Sequence, residues 1–251
     1  MLALIGGSGL YGLHDFGDAR VEKVSSAYSD EFVAVEVYST PIGDVAFLPR
    51  HGKTHNTPPH QVNYRANIDA LQQLGVSGIF AINAVGGITA STGPGSFILP
   101  DQIIDYTQGR KSTFFEDGSD KVVHVDFSSP FSPSLTDNLL AAVQDVNQAV
   151  KYPRMIQAGG VYGCTQGPRL ETAAEIKRMA QDGCDIVGMT AMPEAALARE
   201  KQIDYAMLAL SVNWAAGIVP GVISMAEIET VMQEGMEFVR QVVQQLLDHS
   251  G

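Results

Sequence analysis

Arg50, His51, Lys53, His55 and His60 share one short polar stretch of a chain in which 28 acidic residues outnumber 16 basic ones. Such a local gathering of cations suits two chemistries. The imidazoles of His51, His55 and His60 could ligate a metal, or Arg50 could give two parallel hydrogen bonds to an oxyanion with His51 as a further donor. Gly52, Pro58 and Pro59 deny the stretch a helical frame, and no neighbouring carboxylate completes a metal ligand set. The anion clamp is therefore the expected use, and a solvated loop is the plain alternative.

A second group of donors begins where Leu2 to Ile5, read as a short strand, runs into Gly6-Gly7-Ser8-Gly9-Leu10-Tyr11-Gly12. Gly7, Gly9 and Gly12 match the Gly-x-Gly-x-x-Gly pattern of a dinucleotide-dependent oxidoreductase. Gly12, Asp15, Gly17 and Asp18 spoil the helix that such a site requires directly afterwards. What survives is a turn whose amides can approach an anion, with the Ser8 hydroxyl as one more donor, or else a tight turn between strands. Gly78 to Ile82 reads as a buried strand ending in Asn83-Ala84-Val85-Gly86-Gly87, where small residues again leave amides free to meet a ligand.

The third stretch runs from Gly167 to Glu194. Gly167 and Pro168 break structure ahead of an amphipathic run in which Leu170, Ala173, Ala174, Met179 and Ala180 keep helical spacing. Glu171 is thus expected at a helix start. Asp185 to Val187 reads as a short strand and Gly188 to Pro193 as the turn at its carboxyl end, with Pro193 suited to the first turn of the next helix. Open α/β sheets bind ligands at such ends.

The elements that must position these groups are legible in outline. Val33 to Val37 and Val45 to Leu48 form an expected hairpin around Pro41-Ile42-Gly43-Asp44. A helix is expected over Gln61 to Leu74, a strand pair within Phe97 to Asp105, a mobile surface loop over 107–120, and a strand over Tyr205 to Val212. Ser224 and Glu227 have capping-box spacing at the head of a long helix whose stripe holds Ile228, Val231, Met232, Gly235, Val239, Val242 and Leu246.

With 251 residues, 45% hydrophobic and 18% charged, the chain suits one α/β domain over 1–251. A net charge of -12 opposes nucleic acid and acidic membrane surfaces as partners, and no apolar run is long enough to cross a bilayer. Met1 to Leu10 lacks the pattern of a secretory signal, so a cytoplasmic location is expected. Cys164 and Cys184 are too few for a disulfide scaffold and do not match zinc spacing.

Gly6-Gly7-Ser8-Gly9-Leu10, Arg50-His51-Gly52, the run from His60 to Asn67, Asn83-Ala84-Val85-Gly86-Gly87, Gly167-Pro168-Arg169 and the run from Gly188 to Glu194 together resemble the trimeric purine nucleoside phosphorylase and methylthioadenosine phosphorylase family. The likeness spans nearly the whole chain, in order. It implies a single domain with a central mixed, partly barrel-like sheet flanked by helices, working as a homotrimer. It further implies phosphate held by Ser8, Arg50, His51, the Ala84 amide and the Thr190 hydroxyl, with Met189 under the ribose. Inorganic phosphate is then the co-substrate, with no metal or organic cofactor.

By the same resemblance Leu170, Glu171, Asn213 and Ala215 contact the purine, and Asn213, Glu171 and His51 are the catalytic group. Where one branch of the family carries two aspartates, this chain has Asn213-Trp214-Ala215. A carboxamide offers both an acceptor and a donor, so it suits N7-H and a carbonyl O6, while Glu171 would accept N1-H. A 6-oxopurine is therefore expected. Met225 and Ile228 fall where the sugar's 5' substituent would lie, and neither bonds a hydroxyl, which favours a methylthio group. His124 matches a histidine that relatives contribute from a neighbouring subunit. The implied reaction is phosphorolysis of 5'-methylthioinosine. The alternatives are a phosphorylase of inosine and guanosine, one of methylthioadenosine, a dinucleotide-dependent oxidoreductase, and a purine sensor that binds without turnover.

Overall fold

Among the described residues, apolar runs and helical stripes resolve into a sheet of eleven strands and five α-helices. The structure, a computed structural model, describes residues 1–249 apart from 8, 11, 14–16 and 117–121. In order the elements are β1 (Leu2–Gly6), β2 (Arg20–Ser26), β3 (Ser29–Thr40), β4 (Gly43–Pro49), α1 (Tyr64–Gln73), β5 (Gly78–Gly87), β6 (Phe97–Leu99) and β7 (Gln102–Asp105). There follow α2 (Pro133–Ala149), β8 (Ile156–Ala158), β9 (Val161–Cys164), α3 (Ala173–Gln181), β10 (Ile186–Gly188), α4 (Ala191–Glu200), β11 (Asp204–Trp214) and α5 (Met225–His249).

The sheet is mixed and forks at β5. One edge of β5 carries parallel β11 along its whole length; the other carries parallel β1 at its start and antiparallel β10 at its end. Strand side chains alternate between two faces. Ala3, Ile5, Tyr205, Met207 and Ala209 join the core under α1 and α4, while Leu4, Ala206, Leu208 and Leu210 join the core under α2 and α5. Strands β1, β5 and β11 are therefore apolar on both faces, which is why their runs stand out in the sequence.

Several expectations are corrected. Strand β5 does not stop at Ile82 but continues through Gly87, because β11 pairs with it as far as Trp214. Strands β6 and β7 do not pair with each other: β6 lies between β11 and β8, and β7 pairs with β9. Helix α1 begins at Tyr64 rather than Gln61, since the Asn63 side chain caps it by accepting from Ala66 N, and Pro59–Gln61 form a separate 3-10 turn. Helix α3 begins after Leu170, with Thr172 and Glu175 forming its capping box; its buried stripe is Ile176 and Met179, not the exposed alanines.

The expected mobile loop is held where it is described. Phe114 is buried against Tyr28, and its amide donates to Glu200 Oε2 at 2.8 Å. Among the described residues no helix is long and apolar enough to cross a membrane.

Candidate functional site

A cavity of about 600 Å³ opens at the carboxyl ends of β1, β4, β5 and β11 and beside the turn after β10. This is where a parallel sheet leaves its backbone groups unpaired.

One end is polar, lined by Gly7, Arg50, His51, Asn83, Ala84 and Thr190. Arg50 leaves the end of β4 and is buried, and so is Glu194 on α4. Arg50 Nε donates to Glu194 Oε2 at 2.6 Å and Nη2 to Oε1 at 2.7 Å, while Nη1 reaches the Ile82 carbonyl at 3.3 Å. Tyr205 Oη donates to the same carboxylate at 2.8 Å. Burial works against the Arg50 charge, yet the Glu194 carboxylate holds the guanidinium above its ordinary pKa. The two-pronged face expected to meet an oxyanion is thus spent on Glu194.

His51 departs from expectation as well. Its Nδ1 lies 2.8 Å from the Thr57 carbonyl, which can only accept, so Nδ1 carries the hydrogen. Burial first, and the Arg50 charge second, push the imidazole pKa down to about 4. At neutral pH the ring is uncharged and Nε2 offers a lone pair. His51 is therefore an acceptor at that edge, not the further donor expected. Among the described residues no three of His, Cys, Asp and Glu gather as metal ligands. Ser8 lies outside the described residues.

Glu171 and Asn213, far apart in the chain, both line the cavity, as do Leu170 and Ala215. Thr165 Oγ1 donates to Glu171 Oε1 at 2.6 Å, leaving the carboxylate with spare acceptor capacity. Asn213 Nδ2 donates one hydrogen to the Trp214 carbonyl at 2.7 Å, which aligns the amide. Ala215 is buried and Leu170 is 44% exposed at the mouth.

The third side is apolar: Ile223, Met225, Ile228 and Met232 at the head of α5. Ser224 Oγ accepts from Glu227 N at 3.4 Å there. Met189 also lines the cavity, packed so closely on Gly167 that a Cβ there would come 2.5 Å from its sulfur, at a Gly167 φ of +60°. His124 is exposed and is not among the lining residues.

Three contributors escaped the sequence reading of the site. Glu194 stood in a quoted motif, but nothing in its spacing pairs it with Arg50. Asn83 was expected only to lend nearby amides. Arg110 donates through Nη1 to the Met189 carbonyl at 2.8 Å and through Nη2 to the Gln166 carbonyl at 2.8 Å, tying the turn after β9 to the turn after β10.

Residues 1–248 match the family model described as the phosphorylase superfamily. A protein of Xylella fastidiosa, the probable S-methyl-5'-thioinosine phosphorylase, is 53% identical over 229 residues, covering 90% of each chain. The 6-oxopurine nucleoside phosphorylase of Pyrococcus furiosus is 42% identical, covering 96% of this chain and 90% of that protein. Among solved structures, a methylthioadenosine phosphorylase from an antarctic soil metagenomic library superposes with a TM-score of 0.89 at 36% identity, covering 98% of this chain and 84% of that one.

Proposed function

The chain belongs to the phosphorylase superfamily, and from that premise we propose that it cleaves 5'-methylthioinosine with inorganic phosphate, giving hypoxanthine and 5-methylthioribose 1-phosphate. The observation that carries the reading is one cavity lined together by Arg50, His51, Asn83 and Thr190, by Glu171 and Asn213, and by the apolar Ile223, Met225, Ile228 and Met232. The names of relatives at about half identity agree with it.

In this reading phosphate lies against Gly7, Arg50, His51, Ala84 and Thr190, and one of its oxygens attacks C1' as the bond to N9 breaks. Fixed donors hold and aim the nucleophile, and its charge stabilises the oxocarbenium character of the sugar. His51 Nε2 accepts from a protonated phosphate oxygen. The departing purine is received by Asn213, whose Oδ1 accepts from N7-H while its second amide hydrogen donates to O6, and by Glu171 at N1-H. Met189 underlies the ribose, and Leu170 and Ala215 bound the base. The chemistry needs no metal or organic cofactor. The protein acts in the cytoplasm as a homotrimer, His124 reaching a neighbouring subunit's 5' end.

Phosphate-dependent base release from methylthioinosine, inosine, guanosine and methylthioadenosine tests this. Methylthioinosine is expected to have the highest kcat/KM, and Asn213→Asp to lower it by roughly a hundredfold or more, because a buried partner is then mismatched. Unchanged base preference in the variant would remove Asn213 from the base site. The second reading, an inosine and guanosine phosphorylase, is favoured by the 6-oxopurine relative, and faster turnover of inosine would establish it.

A further inference from the structure

Asn83 is 2% exposed in the middle of β5, and its Nδ2 donates to Thr190 Oγ1, in the turn after β10, through a short hydrogen bond. Its Oδ1 is buried without any hydrogen-bond partner. A buried amide oxygen left unpaired is destabilising, and such groups call for a role other than stability. A hydroxyl whose oxygen already accepts a hydrogen bond turns its own hydrogen elsewhere. Thr190 lines the cavity beside Arg50 and His51, and its backbone N donates to Tyr162 Oη at 3.4 Å.

Resting on the phosphorolysis reading above, we propose that Asn83 is a positioning residue for phosphate: by donating to Thr190 Oγ1 it turns the Thr190 hydroxyl hydrogen toward the anion. The charge balance at this end gives the arrangement its importance. Arg50 is neutralised by Glu194, and His51 presents a lone pair, so oriented neutral donors carry much of the anion's binding. The unpaired Oδ1 fits the same role. Turning the amide over to give that oxygen the Thr190 hydrogen would take the donor away from the phosphate.

Steady-state kinetics of wild type, Asn83→Ala, Thr190→Val and the double variant, each with its Tm, test the assignment. Asn83→Ala is expected to raise the phosphate KM by about tenfold, the effect of one hydrogen bond to a charged group, with the nucleoside KM little changed. In the Thr190→Val background it should add almost nothing, since the hydroxyl it orients is gone. Asn83→Asp, which accepts only and brings a like charge, should be worse than alanine. An additive double variant, or an Asn83→Ala protein with normal phosphate KM, overturns the assignment while leaving phosphorolysis intact. Absence of phosphate-dependent turnover in the wild type would instead remove the reading on which it rests.

Discussion

At the scale of single residues, the site works through groups whose charge has been removed or matched before any ligand arrives. His51 is the clearest case: burial and Arg50 push its pKa down to about 4, whereas an unfolded histidine titrates near about 6.5. The unfolded chain therefore binds the extra proton through that window. The stability contributed by the neutral ring is complete above about pH 6.5 and is lost as the pH falls toward about 4. His55, lowered by its own burial, acts in the same direction. In His51→Asn, whose amide can still donate to the Thr57 carbonyl, the urea midpoint should fall less between about pH 7.5 and about pH 5 than in wild type. Equal falls in the two proteins would show that His51 is not the source. The residue types were legible beforehand, since an arginine beside a histidine in an acidic chain points to an anion. Their final roles were not, because Glu194 lies 144 positions from Arg50, and only folding brings such a partner within bonding distance.

At the scale of elements, the site depends on how closely β9 and β10 approach. Gly188 ends β10, and a Cβ there would lie 2.0 Å from Tyr162 Oη and 2.6 Å from Cζ. Tyr162 is fully buried and cannot swing aside. Gly188→Ala should push the two strands apart just where Thr190 follows. Because a misplacement of about 1 Å can cost about a hundredfold in rate, kcat/KM is expected to fall by more than about tenfold, with a lowered Tm. An alanine variant that kept wild-type kcat/KM would show that the turn tolerates the shift. Legibility varied among the elements for a physical reason. Strands covered on both faces, β1, β5 and β11, write continuous apolar runs. Strand β2 is largely exposed and mixes Arg20, Glu22 and Lys23 with only two valines, and β8 and β9 are too short to establish a period. Helix α2 was missed although Pro133 at its start and the buried stripe of Leu135, Leu139, Ala142, Val143 and Val146 were present.

For the whole molecule, the proposed trimer accounts for a surface that one chain leaves uncovered. Val122, Val123 and Val125 flank the exposed His124 and are themselves 81%, 43% and 37% exposed. Neighbouring apolar side chains of this kind suit burial against another subunit. Sedimentation equilibrium should give a single species of three chains. Replacing Val122 and Val125 together by aspartate should dissociate it and raise the KM for methylthioinosine while leaving the fold's circular dichroism unchanged. A monomeric variant of full activity would separate catalysis from assembly.

The sequence by itself determined the α/β class, the strand ends at which small residues and glycines gather, and the residue types able to hold an anion. Those features follow from local propensity, periodicity and side-chain chemistry, which act over a few neighbours. Only the tertiary structure decided that Arg50 spends its fork on Glu194, that His51 presents an acceptor, and that Asn83 grips Thr190. The first and third are contacts between distant positions, and the second joins a local bond to the Thr57 carbonyl with burial that only tertiary packing creates.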